Sequence, residues 1–136
     1  MDLKKHITDW FAAMDAHDYA KIATLLDPKH KFTNTMTPEP IGAEEHVGMI
    51  KMMHAAWTGK HILDVVVNDG HEWVCVRGRW SGKHTGEFNG VPATGKNVEF
   101  SWIDMQRVVN GKIVDEYMEL NPMSIMQQIG AAPVNA

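Results

Sequence analysis

A chain of 136 residues, 44% of them hydrophobic, is long enough for one compact domain with a real core and short for two. Thirteen basic against seventeen acidic residues leave a net charge of −4, so no positive field favours nucleic acid or an anionic membrane surface as partner. The one cysteine, Cys75, lies between Val74 and Val76; it excludes an internal disulfide and a thiolate metal cluster, and reads as an inert buried thiol on a strand.

The opening residues Met1 to Ile7 carry no apolar leader run, and no later stretch is long and apolar enough to span a bilayer, so a soluble, cytoplasmic protein is expected. Leu3, Ile7, Trp10, Phe11 and Met14 recur at helical spacing and predict an amphipathic first helix ending near His17. Asp18 is placed to cap a short second helix through Leu25 and Leu26, which the Asp27-Pro28 pair would stop. A strand around Lys31 to Thr35 follows, then a loop over 36–41 with two prolines. Gly42 to Trp57 carries Val47, Ile50, Met53 and Trp57 on one stripe of a third helix.

The period then changes. Ile62 to Val67, Trp73 to Trp80 and Val98 to Val109 are rich in β-branched and aromatic residues, and Asn68-Asp69-Gly70 and Asn110-Gly111 are hairpin signals. Helices first and strands second predict an α+β domain with the sheet covering the helices. Pro122 opens a last short helix through Met126 and Ile129, Gly130 ends it, and Ala131 to Ala136 is expected to fray.

Several chemistries lack their residue patterns. None of the eight histidines stands in a His-x-His or His-Glu-x-x-His arrangement, and His46 and His54 are two helical turns apart, so no metal is expected. Gly90 to Gly95 has neither the following helix nor the Lys-Ser/Thr end of a phosphate loop. No serine sits in a nucleophile elbow. Ten methionines and five tryptophans, by contrast, offer adaptable apolar surface and flat faces for stacking, though each one alone also suits plain core filling.

The stretch Lys83-His84-Thr85-Gly86-Glu87-Phe88-Asn89-Gly90-Val91-Pro92-Ala93-Thr94-Gly95-Lys96 is followed at fixed distances by Arg107, by Asn110-Gly111-Lys112-Ile113 and by Gln127-Gln128-Ile129-Gly130. This order of signals resembles the SnoaL-like polyketide cyclases of the nuclear transport factor two-like superfamily. The resemblance runs clearly from Gly82 to Gly130 and more weakly back to the first helix, implying one domain over residues 1–136. It implies a cone-shaped curved antiparallel sheet wrapped around N-terminal helices, with a mostly apolar pocket and a homodimer formed through the outer face of the sheet. Ile103, Met105, Ile113 and Tyr117 are the apolar residues expected on that face. No cofactor is expected, since cyclases of this family close a ring by intramolecular aldol condensation without one.

Such cyclases use an Asp on the strand after the Gly-Lys turn and a polar residue, often His, on the strand before. In this sequence those positions fall on Met118 and Asp104, so the inherited acid/base is absent. With a three-residue loop at Val109-Asn110-Gly111, Asp104 would face Glu116 and Trp102 would face Met118; with a two-residue Asn110-Gly111 turn, Asp104 would face Tyr117. The first arrangement puts both functional positions on one surface and is preferred. Two close carboxylates in apolar surroundings resist joint ionisation, which makes Asp104, assisted by Glu116 and His84, the candidate acid/base group. Ordinary pairing of these acids with Arg77, Arg79 or Lys112, and a purely structural His84, are the alternatives. The resemblance also turns Met14 and Met49 toward the pocket, which with Met52, Trp57, Trp102 and Met118 would suit a small planar hydrophobic molecule. Three functions stay open: a cyclase or isomerase acting on a keto or polyketide-like compound, a non-catalytic binding module for an apolar ligand, and a dimeric scaffold with a vestigial pocket.

Overall fold

The computed structural model describes residues 1–133. Helix α1 spans Leu3–Asp15; Asp2 caps it by accepting from the Lys5 N–H, and Leu3, Ile7, Trp10 and Phe11 form its buried stripe. The chain leaves α1 through His17, whose φ of 55° is the left-handed turn that lets Asp18 cap α2, Tyr19–Thr24. Strand β1, Leu26–Asn34, begins earlier than expected and runs through the Asp27-Pro28 pair. That proline is tolerated because β1 is an edge strand. Helix α3, Ala43–Ala56, passes directly into β2, Trp57–Asn68. Strands β3, Trp73–His84, β4, Asn97–Val109, and β5, Lys112–Leu120, precede a short α4, Pro122–Gln128, capped by Asn121. Gly130 takes a φ of 79° beyond it. Of the expected frayed tail, residues 134–136 lie outside the described residues.

The five strands form one curved sheet in the order β1-β5-β4-β3-β2, antiparallel except for the parallel β1–β5 pair. Helix α1 packs on β2 and β3, and α3 lies between β1 and β2, the two edges. This is the expected α+β architecture of helices held within a curved sheet. No helix among the described residues is long and apolar enough to cross a membrane.

Two features set the cavity inside the fold. At Gly78 an added Cβ would stand 2.4 Å from the Trp102 indole, and at Gly82 it would stand 2.4 Å from the Trp80 indole. These glycines let flat rings lie directly on the sheet, where any side chain would hold them off. The second feature is a bulge. Asn110 and Gly111, with φ of 51° and 76°, make a two-residue turn that pairs Val109 with Lys112 and Val108 with Ile113. The register then slips, Arg107 pairing with Asp115.

That slip corrects the expected hairpin. The preferred three-residue loop is not formed, and Asp104 faces Met118, Gln106 faces Glu116 and Trp102 faces Leu120. One extra residue in β5 reverses its alternation. Ile113 and Glu116, three apart, are therefore both buried inside, at 0% and 1% exposure, and Glu116 shares the inner face with Asp104. Ile113 is accordingly a core residue and not an outer-face anchor. Ile103, Met105 and Tyr117 are exposed, as are Val65 and Val67.

The candidate functional site

A cavity opens between the helices and the inner face of the sheet, walled largely by methionine and aromatic side chains. Met14 and Met49 from the helices, Trp57, Trp102 and Met118 from the strands all line it. Met52, 69% exposed, does not; it lies on the solvent side of α3. Met36, Met53, Trp80 and Phe100 add apolar wall that the sequence reading left out. Phe11 stacks on Trp102 at 4.7 Å behind this wall.

His84, with 0% exposure, is remote from the carboxylates. Its Nδ1 meets the Thr94 hydroxyl at 2.9 Å and backbone N–H at 3.2 Å, and its ring packs on Trp57. It ties the 85–96 connection to the sheet. Asp104 and Glu116 do come together, both reached by the Gln106 amide, but behind the cavity wall and not in it. Neither pairs with the basic residues considered: Arg77 and Arg79 meet Asp64, and Lys112 donates to the Thr24 carbonyl.

The two acids belong to a buried polar group. The Gln106 amide accepts from His6 Nε2–H at 2.9 Å through its oxygen and donates to Asp104 at 3.0 Å through its nitrogen, with a longer 3.4 Å contact to Glu116. Burial, above all, raises both carboxyls: Asp104 is pushed up to about 6 and Glu116 well above its usual range, the Asp104 charge adding to the latter. Two carboxyls buried side by side resist joint ionisation. Asp104 Oδ1 and Glu116 Oε1 are buried without partners.

Next to Glu116 stand His30 and His46, each 3.9 Å from its Oε1. Three such groups are a natural place to seek a metal, and their ligating atoms all lie within 4.8 Å of one another. The two rings argue for a different arrangement. His30 Nε2 and His46 Nδ1 are 2.9 Å apart, the rings are 11° from parallel and their centroids are 5.1 Å apart, little short of that gap plus two ring radii. The nitrogens thus face each other along a hydrogen bond, and do not converge on a common point as metal ligands would.

A second polar group sits at the β2 edge. The Asp15 carboxylate, at the end of α1, accepts from His61 Nδ1–H at 2.6 Å and from the His61 backbone N–H at 3.1 and 3.3 Å. Both residues line the cavity. The carboxylate fixes the imidazole as the Nδ1–H tautomer and leaves Nε2 as an acceptor. No hydrogen bond among the described residues uses that nitrogen. Nearby, His54 stacks on His17 at 3.8 Å and bonds Tyr19 through Nδ1 at 2.8 Å. Burial, then the charges of His17 and His61, lower His54 to about 4, so it is neutral at pH 7.

Sequence reasoning missed Asp15, His61 and His30, and weighed His46 and His54 only as a metal pair. The signals were present in part: His61 has the inward parity of Trp57, and His46 lies four residues before Ile50 on the core stripe of α3.

An apolar cavity closed by a curved sheet over helices, with polar groups at two edges, has the form that small-molecule pockets take. The SnoaL-like polyketide cyclase family model matches residues 5–129, and the chain belongs to that family. Aklanonic acid methyl ester cyclase DnrD of Streptomyces peucetius is 27% identical over 94 residues, spanning 68% of this chain and 65% of that protein. DauD of Streptomyces sp. (strain C5), a cyclase for the same ester, matches at 27% over 68% of this chain and 58% of its own. Among solved structures, AclR from Streptomyces galilaeus superposes with a TM-score of 0.87 at 20% identity, covering 98% of this chain and 83% of that one. IdmH from Streptomyces antibioticus gives 0.84 at 22%, covering 96% and 99%.

Proposed function

We propose that this protein is a cofactor-independent acid/base enzyme, a cyclase or isomerase, acting on a small hydrophobic keto or polyketide-like compound, and that His61 held by Asp15 is its base. The observation that carries this reading is a carboxylate-oriented imidazole with a free nitrogen in a wall of methionine and tryptophan. Removing an α-proton next to a carbonyl needs a base oriented in advance and partly shielded from water, and Asp15 supports the positive charge that His61 acquires. His54, neutral and beside it, is placed to hydrogen-bond the carbonyl as the enolate forms.

On this reading Asp104 and Glu116 act from behind the wall, setting its polarity without touching substrate, and His84 has a scaffold role. The test is α-proton exchange into D2O for a panel of aromatic β-keto esters, followed by NMR. His61→Gln is expected to slow exchange by roughly 100-fold or more while leaving binding intact. Undiminished exchange in that variant would sink the assignment. Met118, where the family's acid/base Asp would stand, favours the second reading, a passive carrier. It predicts saturable binding with no exchange in the parent protein.

The exposed apolar face of Val65, Val67, Ile103, Met105 and Tyr117 supports a homodimer across the outer sheet, in a cytoplasmic protein formed of one domain over 1–136. Light scattering should show a dimer at micromolar concentration, and Ile103→Lys should convert it to monomer.

A further inference from the structure

We infer that His46 is a fixed hydrogen-bond acceptor that selects a ligand hydroxyl at the β1 side of the cavity, so that the preferred ligand is a planar phenol or enol and not its ether or ketone. This rests on the reading of the cavity as the ligand site, and adds what that site demands of its ligand.

The protons along one chain of three groups fix the tautomer of His46. The Ile113 carbonyl oxygen has no proton to give, so at 3.0 Å it accepts from His30 Nδ1–H. In neutral His30 the other nitrogen, Nε2, is then bare, and across 2.9 Å it accepts from His46 Nδ1–H. That leaves His46 with a bare Nε2. The ring lines the cavity, stacked on Phe32 at 3.9 Å, and no hydrogen bond among the described residues occupies this nitrogen. The same logic is repeated at metal sites, where the bond made by one ring nitrogen fixes the state of the other.

Position reinforces tautomer. The slips of register in β1 between Leu26 and Lys31 and in β4–β5 between Arg107 and Val108 bring His30 and the Ile113 carbonyl together. His46 is 3% exposed and His30 4%; His46 packs on Phe32 and Trp10, and Glu116 Oε1 stands 3.9 Å from a nitrogen of each ring. Burial, with repulsion from His30, lowers His46 to about 3, and burial lowers His30 as well. Protonation would make His46 a donor; in these surroundings it stays an acceptor across the working range of pH. A ligand oxygen without a hydrogen meets only a lone pair there, while a hydroxyl makes a bond. Sites that hydrogen-bond a substrate hydroxyl discriminate strongly against analogues lacking it, because the buried partner is left unpaired.

The test compares 2-naphthol with 2-methoxynaphthalene by titration calorimetry, so turnover plays no part in the readout. The parent protein is expected to prefer the naphthol by roughly tenfold or more. His46→Asn keeps an N–H at the Nδ1 position for His30 but has no atom at Nε2, and should bind both compounds equally. His46→Leu, which removes both nitrogens, is the second variant and should give the same loss of preference. Nitrogen NMR of the parent should show His46 protonated at Nδ1 and bare at Nε2; the opposite tautomer would overturn the inference. So would equal binding by the parent, with the cavity reading left standing, or a preference that persists in His46→Asn. If neither compound binds, the cavity reading falls and this inference with it.

Discussion

The two polar walls of the cavity use the same ring and give it different partners. At the β2 edge His61 is oriented by a carboxylate, with side-chain exposures of 12% for His61 and 29% for Asp15. At the β1 side His46 is oriented by a second imidazole, and both are buried. A carboxylate stabilises an imidazolium and so permits a base; an imidazole partner in a dry core stabilises only the neutral ring and so makes an acceptor. What a histidine can do here is decided by what holds its far nitrogen.

The largest effect should come from breaking the first wall. Asp15→Asn is expected to reduce α-proton exchange by on the order of 10²-fold, since an amide can hold His61 in either tautomer and adds no charge. An exchange rate within twofold of the parent would show that the two walls do not differ as argued. Next comes the support behind the second wall. Gln106→Leu strands the buried His6 and removes a donor from the Asp104–Glu116 pair, and should cost about 2–3 kcal/mol in urea unfolding.

The pH dependence of stability should carry opposite signs on the two sides. Asp104 has a raised folded pKa, so between the ordinary carboxylate range and about 6 the native state binds the extra proton. Stability of the parent relative to Asp104→Asn should therefore fall as pH rises through about 6. His54 is lowered to about 4, so between about 6.5 and 4 the unfolded chain binds the extra proton. Stability relative to His54→Gln should then fall as pH falls through that window. Each slope is bounded by about 1.4 kcal/mol per pH unit. Urea titrations at four or five pH values would distinguish them, and parallel slopes would refute both assignments.

The architecture was legible because its signals are local. Helical stripes, the switch to β-branched runs and the Asn110-Gly111 turn each depend on neighbours in sequence, and the motif from Lys83 to Lys96 carried the family. The bulge in β5 was not legible, since nothing in Lys112 to Glu116 demands an extra residue; the demand comes from burying Ile113 and Glu116 together. Reading the hairpin without it placed the right residues on one face with the wrong partners. Asp15 and His61, 46 residues apart, had no shared motif to join them. They meet because α1 ends over the β2 edge, a fact of packing and not of spacing.

The smallest test touches only the His54 side of the cavity. Asp18 accepts from the Lys21 N–H at 3.1 Å and so starts the helix whose first residue, Tyr19, bonds His54. Asp18→Ala should cost about 1 kcal/mol, the ordinary worth of an N-cap. A helix of six residues has little else to hold its first turn, so Tyr19 should loosen from His54 while the Ile113–His30–His46 chain, whose own two hydrogen bonds use no residue of Tyr19–Thr24, stays as it is. Imidazole NMR resonances should accordingly shift for His54 and His17 and remain fixed for His30 and His46. Movement of all four would mean that the two walls are coupled through α3, and that the acceptor and the base cannot be tuned separately.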